Sequence, residues 1–403
     1  MRMAEWNTPS VVCCHAQVTK AGIKGPPFAS FFIFIFNTLK LHSQATATTP
    51  IHQTLHSKNT YTYTTMVKVL VIGAAGYIGL RVSQQLRQAN HIVYGTTRST
   101  ANESTLLLNE VIPIVGPVEP ESSESHSILR PSATLPWLET VKSENIDVVI
   151  DLSASKNGVK TILEPLVRLS KERQANHQPR IGYIYGSGMW LHGSGDNVSS
   201  DLTPVGVKTS LHQPPTLVAW RPELEREVLG SYEHLYAAII RPSLVYGGHG
   251  KIWDLYFGQI YNAIQNNTPI TLPADPEAGV SLVHVDDAAS AFVAAVERLE
   301  SISGHKSSYP VFDVTTSHES LAYILTKFAK ELGYKGPQIQ LTGVPEGNGF
   351  PEIFIQAFNT KVSSGSTRAK TVLGWTPTKT GFAVGLNVYA RSWLAGFKQR
   401  SSA

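Results

Sequence analysis

The sequence predicts an α/β fold, a doubly wound parallel sheet with a smaller C-terminal lobe. Three observations predict it. From Met66 onward, short apolar runs rich in Val and Ile alternate with helix-length segments, the rhythm of strands joined by crossover helices. The run Asp147-Val148-Val149-Ile150-Asp151-Leu152 is almost continuously apolar, as a strand covered on both faces must be. The first run, Val67 to Ile72, ends in glycines at 73, 76 and 79, where a helix-like segment begins.

The elements follow in order. The first helix occupies the region Leu80 to Gln88, and the second strand His91 to Gly95. A short third strand is expected at Val111 to Val115. The stretch from Pro117 to Pro136, rich in Ser, Glu and Pro, reads as an exposed loop. Asp147 to Leu152 is the fourth strand, followed by a helix over Thr161 to Gln174 with Pro165 near its start. Ile181 to Tyr185 and Ala237 to Arg241 complete the expected set of strands. Between them, Pro222 suits the first position of a helix. Residues 66–249 and 281–300 are expected to form the core, and 250–280 with 301–403 the smaller lobe.

Strand, glycine turn and helix together make a dinucleotide site of the Rossmann type. Gly73 permits the tight turn. Gly76 lets backbone approach a pyrophosphate at the positive end of the helix, and Gly79 lets helix and strand pack closely. Ala75, Tyr77 and Ile78 belong to the same expected contact set. The end of the second strand bears on the choice of nucleotide. NAD sites on this fold usually carry an acid there for the ribose hydroxyls. This chain has Gly95-Thr96-Thr97-Arg98-Ser99 instead. Thr97 and Arg98 suit a 2′-phosphate, so NADP(H) is favoured over NAD(H). The alternative is that Arg98 is an ordinary solvated loop charge.

The spacing Gly-x-x-Gly-x-x-Gly after Val-Lys-Val-Leu-Val-Ile resembles the extended short-chain dehydrogenase/reductase group, the NAD-dependent epimerase/dehydratase family. Further pieces resemble that family in the same chain order. They are Leu152-Ser153-Ala154-Ser155 after the fourth strand, Arg241-Pro242-Ser243-Leu244-Val245-Tyr246-Gly247, Val283-His284-Val285-Asp286-Asp287, and Leu373-Gly374-Trp375-Thr376-Pro377. The resemblance implies that Leu152, Ser153, Ala154, Pro242 and Val245 line the ribose and nicotinamide side of the cofactor. Asp286 or Asp287 is expected to cap the helix that follows.

The same resemblance implies a Ser or Thr after the fifth strand and a Tyr-x-x-x-Lys on the next helix. Ser187 falls at or beside the first of these positions. The pair is missing: no tyrosine lies between Tyr185 and Tyr232, and Lys208 is the sole lysine of that interval. Tyr323 and Lys327 have the right spacing but fall in an amphipathic C-terminal segment, Leu321 to Leu332, and read as a chance match. Arg221 is the candidate for the lysine's electrostatic role, though its guanidinium is a poor proton donor. His192, His212 and Tyr246 are candidate proton donors, and Trp220 a packing residue or a ligand wall. Trp253, Tyr256 and Phe257 are candidate walls, each also explicable as core. The sequence shows no metal-ligand cluster, nucleophile elbow or P-loop.

Residues 1–65 have another character. They hold both cysteines, Cys13 and Cys14, and their five basic residues against Glu5 equal the whole chain's formal charge of +4. The remainder is thus formally neutral, which argues against nucleic acid as its partner. The segment reads as a disordered tail, or upstream sequence joined to a true start at Met66. A transit peptide, or a secretory signal around Phe28 to Phe36, are the alternatives. No run is long enough to span a bilayer, and no disulfide is available after Cys14, so a cytoplasmic location is expected.

The expected function is therefore hydride transfer between a nicotinamide nucleotide and a small alcohol, carbonyl or sugar-nucleotide substrate. The competing expectation is a nucleotide-binding redox sensor or scaffold without turnover. The resemblance also implies a homodimer as a candidate assembly.

Overall fold

A computed structural model describes residues 66–120, 135–195, 197–379 and 381–402. The readings of the first sixty-five residues, and of the centre of the Pro117–Pro136 loop, lie outside these described residues.

The strands β1 (Lys68–Ile72), β2 (Ile92–Thr97), β3 (Ile112–Val115), β4 (Val148–Asp151) and β5 (Ile181–Gly186) join the strands Leu235–Pro242 and Val311–Val314 in one seven-stranded sheet. Its order is β3-β2-β1-β4-β5, then Leu235–Pro242, then Val311–Val314, and every pairing is parallel. The doubly wound expectation thus holds. The order reverses between β1 and β4, and in such sheets the crevice at that reversal is where ligands bind. The strand at Val311–Val314 was not expected. It is short, follows Pro310 and carries Asp313, so its sequence lacks the apolar continuity of the others.

Both faces of the sheet are covered, as the alternation along β1 shows. Val69 and Val71 pack with one core, Leu70 and Ile72 with the other. The first core is closed by α1 (Tyr77–Gln88) and α7 (Val285–Ser303). The second is closed by α3 (Pro136–Ser143), α4 (Glu164–Ala175) and α5 (Arg221–Gly230). Close packing has its own demands: a Cβ on Gly79 would lie 2.1 Å from the Gly73 carbonyl oxygen, so α1 can sit this close to the turn only with glycine there. The helix expected from Thr161 is entered through a wider π-type turn, Val159–Leu163, before α4 starts at Glu164. Pro165 has no N–H to give to an α ladder, which accounts for the change of pitch.

A third core holds the C-terminal lobe. It gathers Trp253, Tyr256 and Phe257 with Phe328, Phe358, Phe382 and Trp393 around a three-stranded sheet of Leu244–Tyr246, Gly279–His284 and Ser317–Ser320. The rings of Phe257 and Phe328 stack at 3.5 Å. Trp253, Tyr256 and Phe257 are fully buried in this core, which resolves the choice between ligand wall and packing in favour of packing.

Candidate active site

The site is built where β1 and β4 end. Gly73, with φ +85°, turns the chain out of β1, and its N–H donates to Thr96 Oγ1 at 2.9 Å, tying the turn to β2. Gly76 is the residue before α1 and gives no side-chain cap; no acid occupies the helix's first turn. The Gly76 N–H bonds to the Gly73 carbonyl, and Leu80 N–H to the Gly76 carbonyl. Among the described residues the N–H groups of Tyr77, Ile78 and Gly79 have no partner, so the positive end of α1 is open to an anion. A Cβ on Gly76 would meet only the Gly73 oxygen, at 3.0 Å, and otherwise enter open space. That space is a cavity of about 260 Å³ lined by Gly73, Gly76, Gly79, Leu152, Gly186 and Phe292, among others. A glycine cradle whose methyl would fill the cavity, next to unbonded helix N–H groups, fits the diphosphate of a dinucleotide.

A second cavity, of about 380 Å³, continues from the first. The two share Tyr77, Ile78, Ala154, Ser187, Arg221 and Pro242, and Val245 lines the second. Most of the expected contact residues are therefore brought to one place. Four are not on these walls. Ala75 lies beside the turn, half buried. Ser153 is committed to Asp151, which accepts from its N–H at 2.9 Å and its hydroxyl at 2.7 Å. The Thr97 hydroxyl donates to the Ser99 carbonyl and accepts from Asn102. Arg98, at the end of β2, is exposed and has no carboxylate within ion-pair reach among the described residues.

Ser187 follows β5, and its buried Oγ has no hydrogen-bond partner. The Ser243 Oγ on the wall of the same cavity is likewise unpartnered. A buried hydroxyl without a partner is costly unless a ligand completes it. Arg221 opens α5 and donates to the Tyr185 hydroxyl at 3.1 Å and to the Gly186 carbonyl at 3.2 Å. Its guanidinium also lies over the Trp220 ring, 4.9 Å from the centroid. Both acceptors are neutral, so the positive charge faces the cavity without a carboxylate in direct contact. Burial raises the Tyr185 hydroxyl well above its ordinary range, with Arg221 pulling the other way. Burial also raises the carboxyl of Asp151, against the opposing pull of its bonds from Ser153 and Tyr183 and of the Arg221 charge. Four residues before Arg221, the spacing of a Tyr-x-x-x-Lys pair, stands Leu217, and both line the cavity.

The other proton-donor candidates sit elsewhere. His192 is buried with its Nε2 2.8 Å from Asp313, inside a network that continues to Arg241 and Glu225. His212 lines a separate surface hollow with Ser194 and Gln213. Tyr246 stacks on Phe382 in the core of the C-terminal lobe. Tyr323 is exposed on the helix Leu321–Glu331, and the Lys327 ammonium donates to the Ala383 carbonyl, so neither reaches the cavity. The expected cap at Asp286 or Asp287 is corrected: the His284 ring accepts from the Asp286 N–H at the start of α7. Asp287 instead receives N–H bonds from Thr378 and Lys379, and Asp286 pairs with Arg81. A carboxylate with closer donors in the chain's last lobe leaves the cap to its neighbour.

Two features escaped the sequence reading. Lys156, beyond β4, lines the larger cavity. The Tyr77 hydroxyl donates to the Gly247 carbonyl at 2.5 Å, closing one side of the cleft between the glycine turn and the C-terminal lobe. No spacing in the sequence signals either contact, since each joins segments far apart.

The model of the NAD dependent epimerase/dehydratase family matches residues 69–171. Among solved structures, dTDP-glucose 4,6-dehydratase from Bacillus anthracis in complex with NAD is similar at 14% identity and a TM-score of 0.59, over 82% of this chain and 96% of that one. UDP-glucuronic acid 4-epimerase from Bacillus cereus, in complex with UDP-glucuronic acid and NAD, is similar at 18% identity and a TM-score of 0.56, over 81% of this chain and 99% of that one. A protein of unknown function from Silicibacter pomeroyi aligns with a TM-score of 0.56 at 17% identity, over 81% and 99%. No curated protein matches the chain. The findings support the resemblance to this family drawn from the sequence, with the family match falling on the glycine turn and the first four strands.

Proposed function

We propose that this chain, whose first four strands match the NAD dependent epimerase/dehydratase family, is an NADP(H)-preferring oxidoreductase or epimerase with an atypical active site. The observation that carries the reading is the continuity of the two cavities: the glycine cradle opens into a chamber that shares Ser187 and Arg221 with it. A bound nicotinamide nucleotide supplies hydride chemistry. The rest is work for the chain's own residues. Gly73, Gly76 and Gly79 bring backbone to the diphosphate, and the exposed Arg98 offers its charge to a 2′-phosphate. Leu152, Ala154, Pro242 and Val245 wall the nicotinamide side. The Ser187 hydroxyl bonds the reacting oxygen of a small alcohol, carbonyl or sugar-nucleotide, and Arg221 stabilises negative charge as it develops there.

The dehydratase and the epimerase named above were solved with NAD, and the epimerase also with UDP-glucuronic acid. They support a nicotinamide nucleotide and a small-molecule substrate, while the preference for NADP(H) rests on Arg98 and on the lack of an acid at the end of β2. One observation favours a second reading, a nucleotide-dependent sensor or scaffold without turnover: Leu217, which has no proton to give, stands four residues before Arg221. Turnover assays on Ser187→Ala and Arg221→Met separate the two. An enzyme loses rate while keeping nucleotide affinity; a sensor has no rate to lose and a partner that distinguishes NADPH from NADP⁺. A homodimer and a cytoplasmic location belong to the same proposal. Among the described residues, no helix is long and apolar enough to cross a membrane.

A further inference from the structure

The larger cavity is walled by Met189, Trp190, Leu217, Trp220 and Ile252. Sugar hydroxyls are hydrogen-bond donors, and a site that encloses them needs carboxylates, amides or free carbonyls to accept. Among the described residues, no Asp, Glu, Asn, Gln or His lines this cavity. The side-chain oxygens on its walls are those of Ser187, Ser243 and Tyr77, and the Tyr77 hydroxyl is already donated to Gly247. An enclosed polyol would leave several hydroxyls unmatched, which burial penalises. An apolar ring, by contrast, gains contact with two tryptophans.

The charge on the walls has one sign. Lys156 and Arg221 line the cavity, and among the described residues no acid does. Lys156 is exposed and, among the described residues, has neither an ion-pair nor a hydrogen-bond partner. Arg221 bonds only neutral oxygens. An apolar chamber with two cations and no acid on its described walls selects an anion with an apolar body.

We infer that the substrate class of this site is an apolar, ring-bearing carbonyl acid, or the corresponding alcohol, and not a nucleotide sugar. The inference rests on the NAD(P) reading above. The ring lies against Trp190 and Trp220, the reacting oxygen on Ser187 and Arg221, and the anionic substituent toward Lys156. In reduction the carbonyl carbon takes a hydride from NADPH and the oxygen takes a proton from solvent through the Ser187 hydroxyl. The products are the alcohol and NADP⁺.

The test uses the full chain saturated with NADPH or NADP⁺, with para-carboxybenzaldehyde, benzaldehyde and UDP-glucose as probes in calorimetry and in NADPH-consumption assays. The aromatic acid should bind roughly fivefold tighter than benzaldehyde, the scale of one exposed charge pair, and UDP-glucose should not compete with it. Lys156→Met should bring the two aldehydes to parity, and Lys156→Arg should restore the preference. Tighter binding of UDP-glucose than of the aromatic acid overturns the inference, as does a preference that survives in Lys156→Met. If NADPH binds but no aromatic probe does, this inference fails and the cofactor reading stands. If no nucleotide binds, the cofactor reading fails and removes this one with it.

Discussion

Gly76 and Gly79 differ in what a methyl group would meet, and that difference yields a paired prediction. At Gly79 an added Cβ lies 2.1 Å from the Gly73 carbonyl oxygen and 2.8 Å from its carbon. Non-bonded heavy atoms rest at about 3.5 Å, so α1 and the turn must move apart by roughly 1.4 Å. Both sides of the contact are backbone, and neither can swing away. Overpacking of this kind costs about 1–3 kcal/mol, and backbone against backbone belongs at the upper end. At roughly 2 °C per kcal/mol for a chain of this size, Gly79→Ala should lower the melting temperature by about 5 °C. At Gly76 the backbone has an ordinary φ of −78°, and the Cβ meets one atom at 3.0 Å before entering open space. The stability change should be about 0.5–1 kcal/mol, the preference for Gly over Ala at a helix N-cap. The methyl group occupies the approach to the α1 N–H groups, however, and nucleotide affinity should fall at least about tenfold, or 1.4 kcal/mol. Scanning calorimetry and nucleotide titration on the two variants read these effects separately. Gly76→Ala binding nucleotide as tightly as the parent would refute the cradle, and Gly79→Ala melting with the parent would refute the packing argument.

Three further outcomes are expected. Arg98→Asp should reverse the nucleotide preference, because an exposed cation becomes an anion that repels the 2′-phosphate; paired titrations with NADPH and NADH check it, and an unchanged ratio counts against the role of Arg98. Glu225→Gln should destabilise the fold by about 3–5 kcal/mol, since it leaves the buried Arg241, which bonds Glu225 through Nε and Nη2, without its closest counter-charge; denaturant melts measure this, and a loss under about 1 kcal/mol would show the pair to be dispensable. Burial alone would raise Asp313, yet the bond and charge of His192, the Arg241 charge and the Ser364 hydroxyl outweigh it and hold the carboxyl below its ordinary 3.8. A depressed folded value means that this stabilisation is present above the ordinary value and is lost as pH falls through the lower folded one, so Asp313→Asn should flatten the acid limb of the stability profile below about pH 4, and parallel profiles would exclude the linkage.

The sheet was legible because its evidence is local. Apolar runs at 67–72, 147–152, 181–185 and 237–241 each carry their own signal, and Gly73, Gly76 and Gly79 declare the turn by spacing alone. The edge strand Val311–Val314 was not legible, for it is short and interrupted by Asp313, whose partners His192 and Arg241 lie far off in sequence. The candidate site divides in the same way. Ser187 and Arg221 could be placed by their order after β5 and on the helix that follows it, and the fold brings both to one cavity. Lys156 could not, because a lysine in a loop after β4 looks like any solvated charge until the cavity wall is known. Thr97 looked like a phosphate ligand until its hydroxyl proved committed to the loop it begins. His284 carried no sign that it would displace two aspartates as the cap of α7, since that depends on Asp287 finding Thr378 and Lys379.

The central claim is that the bend after Ile72 holds a nicotinamide nucleotide, and thermal melting of the full chain with NAD⁺, NADH, NADP⁺ and NADPH addresses it most directly. A ligand at about a hundred times its dissociation constant adds about 2.7 kcal/mol to the folded state, so at least one of the four should raise the melting temperature by several degrees, with the phosphorylated pair ahead. A melting temperature that none of the four moves would contradict the account.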